Sequence, residues 1–313
     1  QNSATFKPFS TAISRHNTAY FTGQLDNIFR TFKTYYSTNY TISTVIPNWN
    51  ETLTNIPIRG ISSSRTFLAS DFLAAVGSYE FLRIGSNDNW TEQQGSGSHD
   101  WVDISIASDN DSIIYAAATC RAGSESYAAE TNRNDFIYKS IDGGNNWTKC
   151  SQFGRKVWKS VSVNSDGTIV AAASAPDGMG DDGAIYVSTN GGTPSKYQDN
   201  NSYKNIRISD DGKIIVSSYY GNNCIIGKYP YSISDWLGCD PVSESKQAVI
   251  SGDGQKYALL YQTRVFVFKT NGGTLLEKNL SETFNTICMT KDSKSVIIAG
   301  TGKLIRYISS DGT

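Results

Sequence analysis

The segment Ser160-Val-Ser-Val-Asn-Ser-Asp-Gly-Thr-Ile-Val-Ala-Ala-Ala173 decides the fold. It begins with alternating polar and apolar residues, continues through a polar turn that contains Asp166 and Gly167, and ends in an apolar run of strand length. Two strand-like runs joined by a short polar turn with glycine are typical of an antiparallel β-hairpin. This segment therefore predicts a hairpin whose two strands are both extended and largely apolar.

The same hairpin pattern recurs along the chain. Aligned on the turn, the copies place equivalent residues at His16, Ser64, Asp109, Asp166, Asp211, Asp253 and Asp292. The intervals are 39 to 57 residues, a period that suits one four-stranded propeller blade. Further strand-like segments follow several hairpins, namely Asp135–Ser140, Gly183–Ser188, Thr263–Phe268 and Lys303–Ile308. No long segment has helical periodicity, so we expect little helix.

These repeats predict an all-β fold, a single seven-bladed β-propeller of four-stranded antiparallel blades in one domain over residues 1–313. The expected blades are 10–51, 52–97, 98–151, 152–198, 199–240, 241–279 and 280–313, the last completed by 1–9. The last repeat offers only three strands before the chain ends. We therefore predict that the N-terminal strand around Thr5 to Phe9 pairs with Lys303–Ile308 and removes an open sheet edge.

Composition indicates a globular protein without a strong charge bias. Hydrophobic residues make up 38% of the chain, and 28 basic residues nearly balance 29 acidic ones. The sequence has no run of basic residues that would indicate binding to nucleic acid or to an anionic lipid surface. It also has no apolar run of the roughly 20 residues needed to cross a bilayer. We expect neither nucleic-acid binding nor membrane insertion.

Several features favour secretion. The chain begins with Gln1, as a mature protein does after removal of a signal peptide. Asn-x-Ser/Thr sequons, the acceptor pattern for N-glycosylation, begin at Asn39, Asn50, Asn89, Asn110, Asn146, Asn200 and Asn279. The sequence thus predicts a secreted or extracellular glycoprotein.

Five cysteines contain no C-x-x-C pair, which argues against zinc or thioredoxin-like chemistry. In the repeat model, Cys224 and Cys239 lie at the same end of neighbouring antiparallel strands, a geometry that suits a disulfide. Cys120 and Cys150 lie at the same face with one strand between them, so a second bridge there needs a distorted loop. Cys288, on an innermost strand, is expected to remain a free thiol.

Residues 140–147, Ser-Ile-Asp-Gly-Gly-Asn-Asn-Trp, resemble the Asp-box pattern Ser-x-Asp-x-Gly-x-x-Trp. That pattern occurs in the propellers of sialidases, sortilin-like receptors, xyloglucanases and a photosystem-assembly protein. The resemblance implies a structural role for Ser140, Asp142, Gly144 and Trp147: the carboxylate accepts turn N–H groups, a glycine takes positive φ, and the indole packs between sheets. It does not imply that Asp142 is catalytic.

Two loops on one face of the predicted propeller are the candidate ligand-binding region. They are Arg121–Asn134 and Ala175–Gly183, and their candidate ligand-binding residues are Arg121, Glu125, Glu130, Arg133, Asp177, Asp181 and Asp182. The three aspartates lack the spacing of a calcium-binding EF-hand, and we predict no metal and no cofactor. Trp101 and Trp158, at equivalent strand starts, are candidates either for stacking on a sugar or for packing between blades.

The sequence contains no Ser/His/Asp order, phosphate loop or nucleotide fingerprint. We therefore expect a non-catalytic interaction or structural module in an extracellular assembly, with other extracellular proteins or glycans as partners, and a higher-order assembly left open. The alternative is a carbohydrate-binding lectin or a glycoside hydrolase that uses the loop face near blades three and four.

Overall fold

The computed structural model describes residues 6–13, 18–25, 28–35, 43–45, 50–54, 58–63, 72–86, 89–119, 134–177, 182–197, 200–220, 224–231, 236–238, 245–280, 282–300 and 304–309. Within these ranges the chain forms 28 β-strands and two 3-10 helices, Gln94–Ser96 and Ser151–Phe153. The predicted all-β class is confirmed. No helix in the described part has the length and apolar character needed to span a bilayer.

The strands form groups of four, which we call units and number along the chain. Unit 1 contains β1 (Phe6–Ile13), β2 (Thr18–Leu25), β3 (Ile28–Tyr35) and β5 (Asn50–Thr54). Unit 2 contains β6 (Ile58–Ser63), β7 (Phe72–Glu80), β8 (Leu82–Ser86) and β9 (Asn89–Gln93). Unit 3 contains β10 (His99–Ile106), β11 (Ile114–Thr119), β12 (Asn134–Ser140) and β13 (Thr148–Lys149). Unit 4 contains β14 (Val157–Val163), β15 (Ile169–Ala175), β16 (Ile185–Thr189) and β17 (Ser195–Tyr197).

The remaining units follow the same order. Unit 5 contains β18 (Tyr203–Ile208), β19 (Ile214–Tyr219), β20 (Cys224–Lys228) and β21 (Trp236–Gly238). Unit 6 contains β22 (Gln247–Ile250), β23 (Lys256–Leu260), β24 (Arg264–Lys269) and β25 (Thr274–Asn279). Unit 7 contains β26 (Phe284–Met289), β27 (Ser295–Gly300), β28 (Leu304–Ser309) and β4 (Ser43–Val45). All pairing is antiparallel, and units 2 and 3 join into one eight-stranded sheet through β7 and β10, so the sheets number six.

The apolar cores lie between neighbouring units. One cluster joins Tyr115 and Ile137 of unit 3 to Val161 and Val170 of unit 4, and similar clusters follow between later units. Strand β11 is buried at every position, because both faces of its sheet are covered. The first strands contact one another in chain order, from β1 to β6 and onward to β26, and β26 also contacts β1.

The repeated hairpin turns are held by local hydrogen bonds. The amide and the hydroxyl of Thr168 both donate to Asp166 Oδ1, at 2.9 and 2.6 Å, and the Ile169 amide donates to Asn164 Oδ1 at 2.8 Å. Gly167 has φ +81°, and a Cβ there would lie 2.5 Å from Ile113 of the preceding unit. The repeated turn motif therefore specifies both the turn itself and its close contact with the preceding unit.

The predicted N-terminal closing strand is wrong. Residues 6–9 belong to β1, which pairs with β2, while the outer neighbour of β28 is β4, with Ile305 opposite Val45 and Tyr307 opposite Ser43. The first strand of unit 1 extends back from its turn for eight residues, so it consumes the segment that had been assigned to closure. The long connection between β3 and β5 supplies the fourth strand of unit 7 instead.

Candidate functional site: the axial channel and its link face

The first strands of neighbouring units lie side by side and run in the same direction, as the hydrogen bonds between them show. We call the face where they begin the link face, because the connections between units lie there, and the opposite one the turn face. The second-to-third-strand connections also lie on the link face. A cavity of about 150 Å³ lies between the first strands and is lined by residues of units 2 to 7, among them Ser105, Ser162, Arg207 and Cys288.

Polar side chains on the first strands bind the backbone of the next unit. Asp103, Ser160, Asn205 and Gln247 accept the amides of Val161, Ile206, Ala248 and Ile287, at 3.0 to 3.2 Å. A second row, formed by Ser62, Ser105 and Ser162, accepts the amides of Ile106, Val163 and Ile208 at 3.1 to 3.2 Å. An innermost strand has an edge with no further strand to pair with, so these side chains satisfy backbone groups that would otherwise lack partners.

One charged network lies at this cavity, which we call the channel. Arg207 Nη1 lies 2.9 Å from Asp103 Oδ2 and donates to Ser160 Oγ at 2.9 Å and to the Ile206 carbonyl at 2.7 Å. The Ser160 hydroxyl also donates to Asp103. These residues come from units 3, 4 and 5, so the network ties three units together and neutralises the charge within the channel.

A second charged network lies at the turn face. Lys291 Nζ of unit 7 lies 2.9 Å from Asp210 Oδ2 of unit 5 and 3.7 Å from Asp109 Oδ1 of unit 3. Lys291 therefore links units 3, 5 and 7 across the turn-face end of the channel. Both in the channel and at the turn face, the charged side chains form ion pairs with one another.

Four cations share one register position at the link-face end of the first strands. Arg59, Lys159 and Lys204 are each the extra residue of a β-bulge at the same position in the first strands of units 2, 4 and 5. Lys246 holds the equivalent position just before β22. A bulge changes the direction in which a side chain points. We call Arg59, Lys159, Lys204 and Lys246 the link-face cations.

The contacts of the link-face cations place them across the unit boundaries. Lys204 Nζ donates to the Ser245 carbonyl at 2.9 Å, and Lys246 Nζ donates to the Phe284 carbonyl at 3.0 Å. Arg59 Nη1 lies 3.1 Å from Oδ1 of the buried Asp100. Among the described residues, Lys159 makes no hydrogen bond or ion pair.

Burial and mutual repulsion act on these cations. Burial lowers the pKa of Lys159, the neighbouring Arg59 charge lowers it further, and Asp100 raises it in part. Burial also lowers the pKa of Lys246. Arg59 belongs to unit 2 and Lys159 to unit 4, so their side chains approach each other beside Asp100 of unit 3.

An exposed aromatic ring stands beside the link-face cations. Tyr220 follows β19 on the link face, its residue surface is 63% exposed, and Lys204 Nζ lies 4.5 Å from its ring centroid. A cation held against an aromatic face is stabilised electrostatically while the rest of the ring stays available. The link face thus combines positive charge with an apolar surface.

Trp101 and Trp158 were candidates either for stacking on a sugar or for packing between blades, and both side chains are fully buried, which leaves no surface for stacking on a ligand. Trp101 packs edge-on against Tyr138, and Trp158 against Tyr186, with centroid separations of 5.1 and 5.4 Å. Both also belong to apolar clusters shared with the preceding unit, so their position at equivalent strand starts reflects packing between units, the alternative left open by the sequence.

Most of the predicted loop residues lie outside the described residues, namely Arg121, Glu125, Glu130, Arg133 and Asp181. Asp182 is exposed and Asp177 is half-buried. No group of three or more His, Cys, Asp or Glu side chains suited to a metal ion occurs in the described part of the chain.

A histidine–aspartate pair that sequence reasoning missed lies on the link face of unit 3. His99 Nδ1 lies 2.9 Å from Asp135 Oδ2, and the Tyr138 hydroxyl donates to Asp135 Oδ1 at 3.1 Å. Burial raises the pKa of Asp135, but the hydrogen bond and charge of His99 and the Phe136 amide outweigh it and hold this pKa below its usual range. The contacting residues are 36 positions apart in sequence, which explains why spacing did not reveal the pair.

The turn at residues 140–147 has the hydrogen bonds that a structural motif requires. Asp142 Oδ1 accepts the Asn146 amide at 2.9 Å, Ser140 Oγ accepts the Gly144 amide at 2.8 Å, and Trp147 Nε1 donates to the Gly144 carbonyl at 2.8 Å. Gly144 has φ +94°, and a Cβ there would lie 2.7 Å from Ile84 of unit 2. Asp142 therefore stabilises its turn on the face opposite the link-face cations.

The cysteines correct one predicted bridge. Cys150 is a free, buried thiol whose pKa burial raises to about 11, so the predicted Cys120–Cys150 disulfide is wrong. Strand β12 separates β11 from β13, and no distortion brings Cys150 out of the core between units 3 and 4. Cys288 is a thiol outside any disulfide, as predicted, and Cys224 is disulfide-bonded. Cys120 and Cys239 lie outside the described residues, so the Cys224–Cys239 pairing stays a prediction.

The predicted glycosylation sites also stay predictions. Asn110, Asn146, Asn200 and Asn279 are exposed, as an acceptor must be. Asn50 and Asn89 lie in strands whose side chains are not described, and Asn39 lies outside the described residues.

A sequence signal for three of the link-face cations exists in the repeat. Lys159, Lys204 and Lys246 each stand seven residues before the turn aspartate, at 166 − 159, 211 − 204 and 253 − 246. The repeat alignment contains this spacing. Its significance depends on the bulge, which only the tertiary structure reveals.

Comparisons with known proteins identify the fold and nothing finer. The structure is similar to a chain of Kuenenia stuttgartiensis hydrazine synthase, with a TM-score of 0.70 and 11% sequence identity, over 98% of this chain and 96% of that one. No protein-family model matches the sequence, and neither does any curated protein. The chain therefore has a β-propeller-type fold, and at this identity the likeness extends to the fold alone.

Proposed function

We propose that the chain is a seven-bladed propeller that acts as a non-catalytic interaction module in an extracellular assembly, with the link face as its binding side. In this proposal each unit is a blade, and β4 completes the last one. The cyclic contacts of the first strands, with β26 against β1, support a closed ring. Pairing of β28 with β4 supports closure by an internal strand.

The observation that carries the proposal is the different use of charge at the two ends of the channel. Within the channel and at the turn face, Arg207 pairs with Asp103 and Lys291 with Asp210, so these groups stabilise the scaffold. At the link face, two cations, Arg59 and Lys159, share one buried carboxylate, Asp100. A surface that combines excess charge with an exposed aromatic ring is suited to recognition.

Cross-linking of the native assembly with an amine-reactive reagent, followed by peptide mapping, tests this proposal. We expect links to other polypeptides from lysines near the link face, such as Lys156. Lys213 and Lys294 on the turn face are the internal controls. Links that come only from the turn face, or a chain that is monomeric and unlinked in native material, would overturn the interaction proposal.

Carbohydrate recognition is the second candidate, and Tyr220 favours it. An exposed tyrosine beside Lys204 offers a flat apolar surface and a hydrogen-bond donor, the combination that sugar rings use. A glycan array with Tyr220→Ala as the variant, together with hydrolysis assays on sialyl and β-glucan substrates, separates the classes. Binding that Tyr220→Ala abolishes selects a lectin, and turnover selects a hydrolase and rejects the non-catalytic module.

Intact-mass measurement before and after glycan removal tests the extracellular location. Secretion predicts a mass decrease, and peptide mapping should assign it to exposed sequons such as Asn110 or Asn279. An unmodified mass in native material would contradict this part of the proposal.

A further inference from the structure

We propose that the link-face cations form a binding site for an oxyanion with several charges, a ligand that carries two or more carboxylate, phosphate or sulfate groups. The inference rests on the link face being the binding side of the module, as proposed above. It adds the chemical class of the group that binds there.

The first support is the repeated construction of the site. The bulge occurs at one register position in several units, and in units 2 and 4 to 6 that register carries Arg or Lys. In unit 3 the bulge residue is Val102 and in unit 7 it is Asn285, so the fold does not itself require a cation there. The positive charge at this register is therefore not required by the bulge itself.

The second support is unused hydrogen-bonding capacity. Lys159 is half-buried and donates to no other described residue, although its ammonium carries three donors. Lys246 uses two donors, on the Phe284 carbonyl and on Asn285 Oδ1, which leaves a third. Arg59 is held by one ion pair to Asp100, and its side chain stays 40% exposed.

The third support is electrostatic. Grouping Arg59 and Lys159 near one buried carboxylate, Asp100, leaves an excess of positive charge in a partly desolvated place. Such an arrangement is unfavourable unless an anion compensates it. Because Lys159 and Lys246 are half-buried, a small group or the end of an extended ligand reaches them more readily than a flat protein surface does.

Direct titration tests the site. Purified protein is titrated calorimetrically with citrate, inorganic phosphate, sulfate and acetate at constant ionic strength. We expect one saturable site per chain, with at least one of the multiply charged anions binding about ten-fold more tightly than acetate. The order among citrate, phosphate and sulfate then identifies the preferred oxyanion.

Matched variants separate a site from general charge attraction. Lys159→Met removes a charge without removing a hydrogen bond, and we expect it to weaken binding about ten-fold. Lys269→Met removes an exposed lysine at the turn face and should leave binding unchanged. Equal effects of both variants, no effect of Lys159→Met, or no saturable binding of any of the anions would overturn the proposal.

A footprint on the unmodified protein makes the test independent of variant folding. Amine acetylation at Lys159, measured by mass spectrometry, should slow in the presence of the bound anion while acetylation at Lys269 does not. Protection at neither lysine would also overturn the site. A failure here, with link-face cross-links still present in the native assembly, would reject the oxyanion site and leave the interaction module standing.

Discussion

Replacement of Asp103 by alanine should destabilise the fold, because this carboxylate joins three units. Its side chain is 9% exposed and lies 2.9 Å from Arg207 Nη1. The Asp103 carboxylate also accepts hydrogen bonds from the Val161 amide at 3.2 Å, from the amide of the next residue, Ile104, at 3.0 Å, and from the Ser160 hydroxyl. Alanine leaves the Val161 amide without its acceptor, a loss of about 1–3 kcal/mol for a buried donor.

The ion pair adds less, because Arg207 keeps 27% of its side-chain surface exposed and solvent screens it. With about 1 kcal/mol for that pair, we expect Asp103→Ala to lower the free energy of unfolding by about 2–4 kcal/mol. Asp103→Asn retains an oxygen acceptor for the Val161 amide and should lower it by about half as much.

Denaturant unfolding at constant m-value measures these differences. A double-mutant cycle with Arg207→Met should show a coupling of about 1 kcal/mol between the two side chains. If Asp103→Ala changes the free energy of unfolding by less than about 0.5 kcal/mol, or if the coupling is zero, the network does not hold the units together and the reasoning fails.

Three further predictions follow from the turns and the cysteines. Gly167→Ala should lower the free energy of unfolding by about 2 kcal/mol or more, because alanine is strained at positive φ and its Cβ would clash with the preceding unit. Gly191→Ala, which has open space around it, should lower the free energy of unfolding by only about 1 kcal/mol. Equal melting temperatures of the two variants would contradict this. Although burial raises the pKa of Asp211, turn hydrogen bonds hold it below its usual value, so its stabilisation is present at neutral pH and is lost as the pH falls through the folded-state pKa. Asp211→Asn should therefore flatten the loss of stability between about pH 4 and pH 2, as followed by unfolding at a series of pH values, and an unchanged slope would be the contrary result. Strand β20 pairs Ile225 with Gly238, and we predict that this register continues by one residue to Cys224 and Cys239. Non-reducing peptide mapping should therefore recover these two cysteines as one linked pair, and any other partner for Cys224 would contradict the prediction.

The hairpins and the all-β class could be predicted because their determinants are local. Asp166 and Gly167 form a turn with residues within a few positions of themselves, and the apolar run after them has strand length. The turn at Asp142 was predictable for the same reason. Trp158 shows the limit of a local pattern, since an aromatic residue at a strand start looks the same whether it packs inside or faces a ligand.

The sequence by itself therefore determined the repeat, the turns and the antiparallel class of this protein, because those depend on contacts between residues close along the chain. Only the tertiary structure decided which strand completes the last unit. The pairing of β28 with β4 joins residues far apart in sequence, and an unpaired sheet edge can be covered by any segment long enough to reach it. The proposed binding side also depends on contacts between residues far apart in sequence. A lysine in a sequence is equally consistent with a solvated surface. The bulges of the first strands bring Arg59 and Lys159 to the same buried carboxylate, Asp100, where burial and repulsion lower the pKa of Lys159.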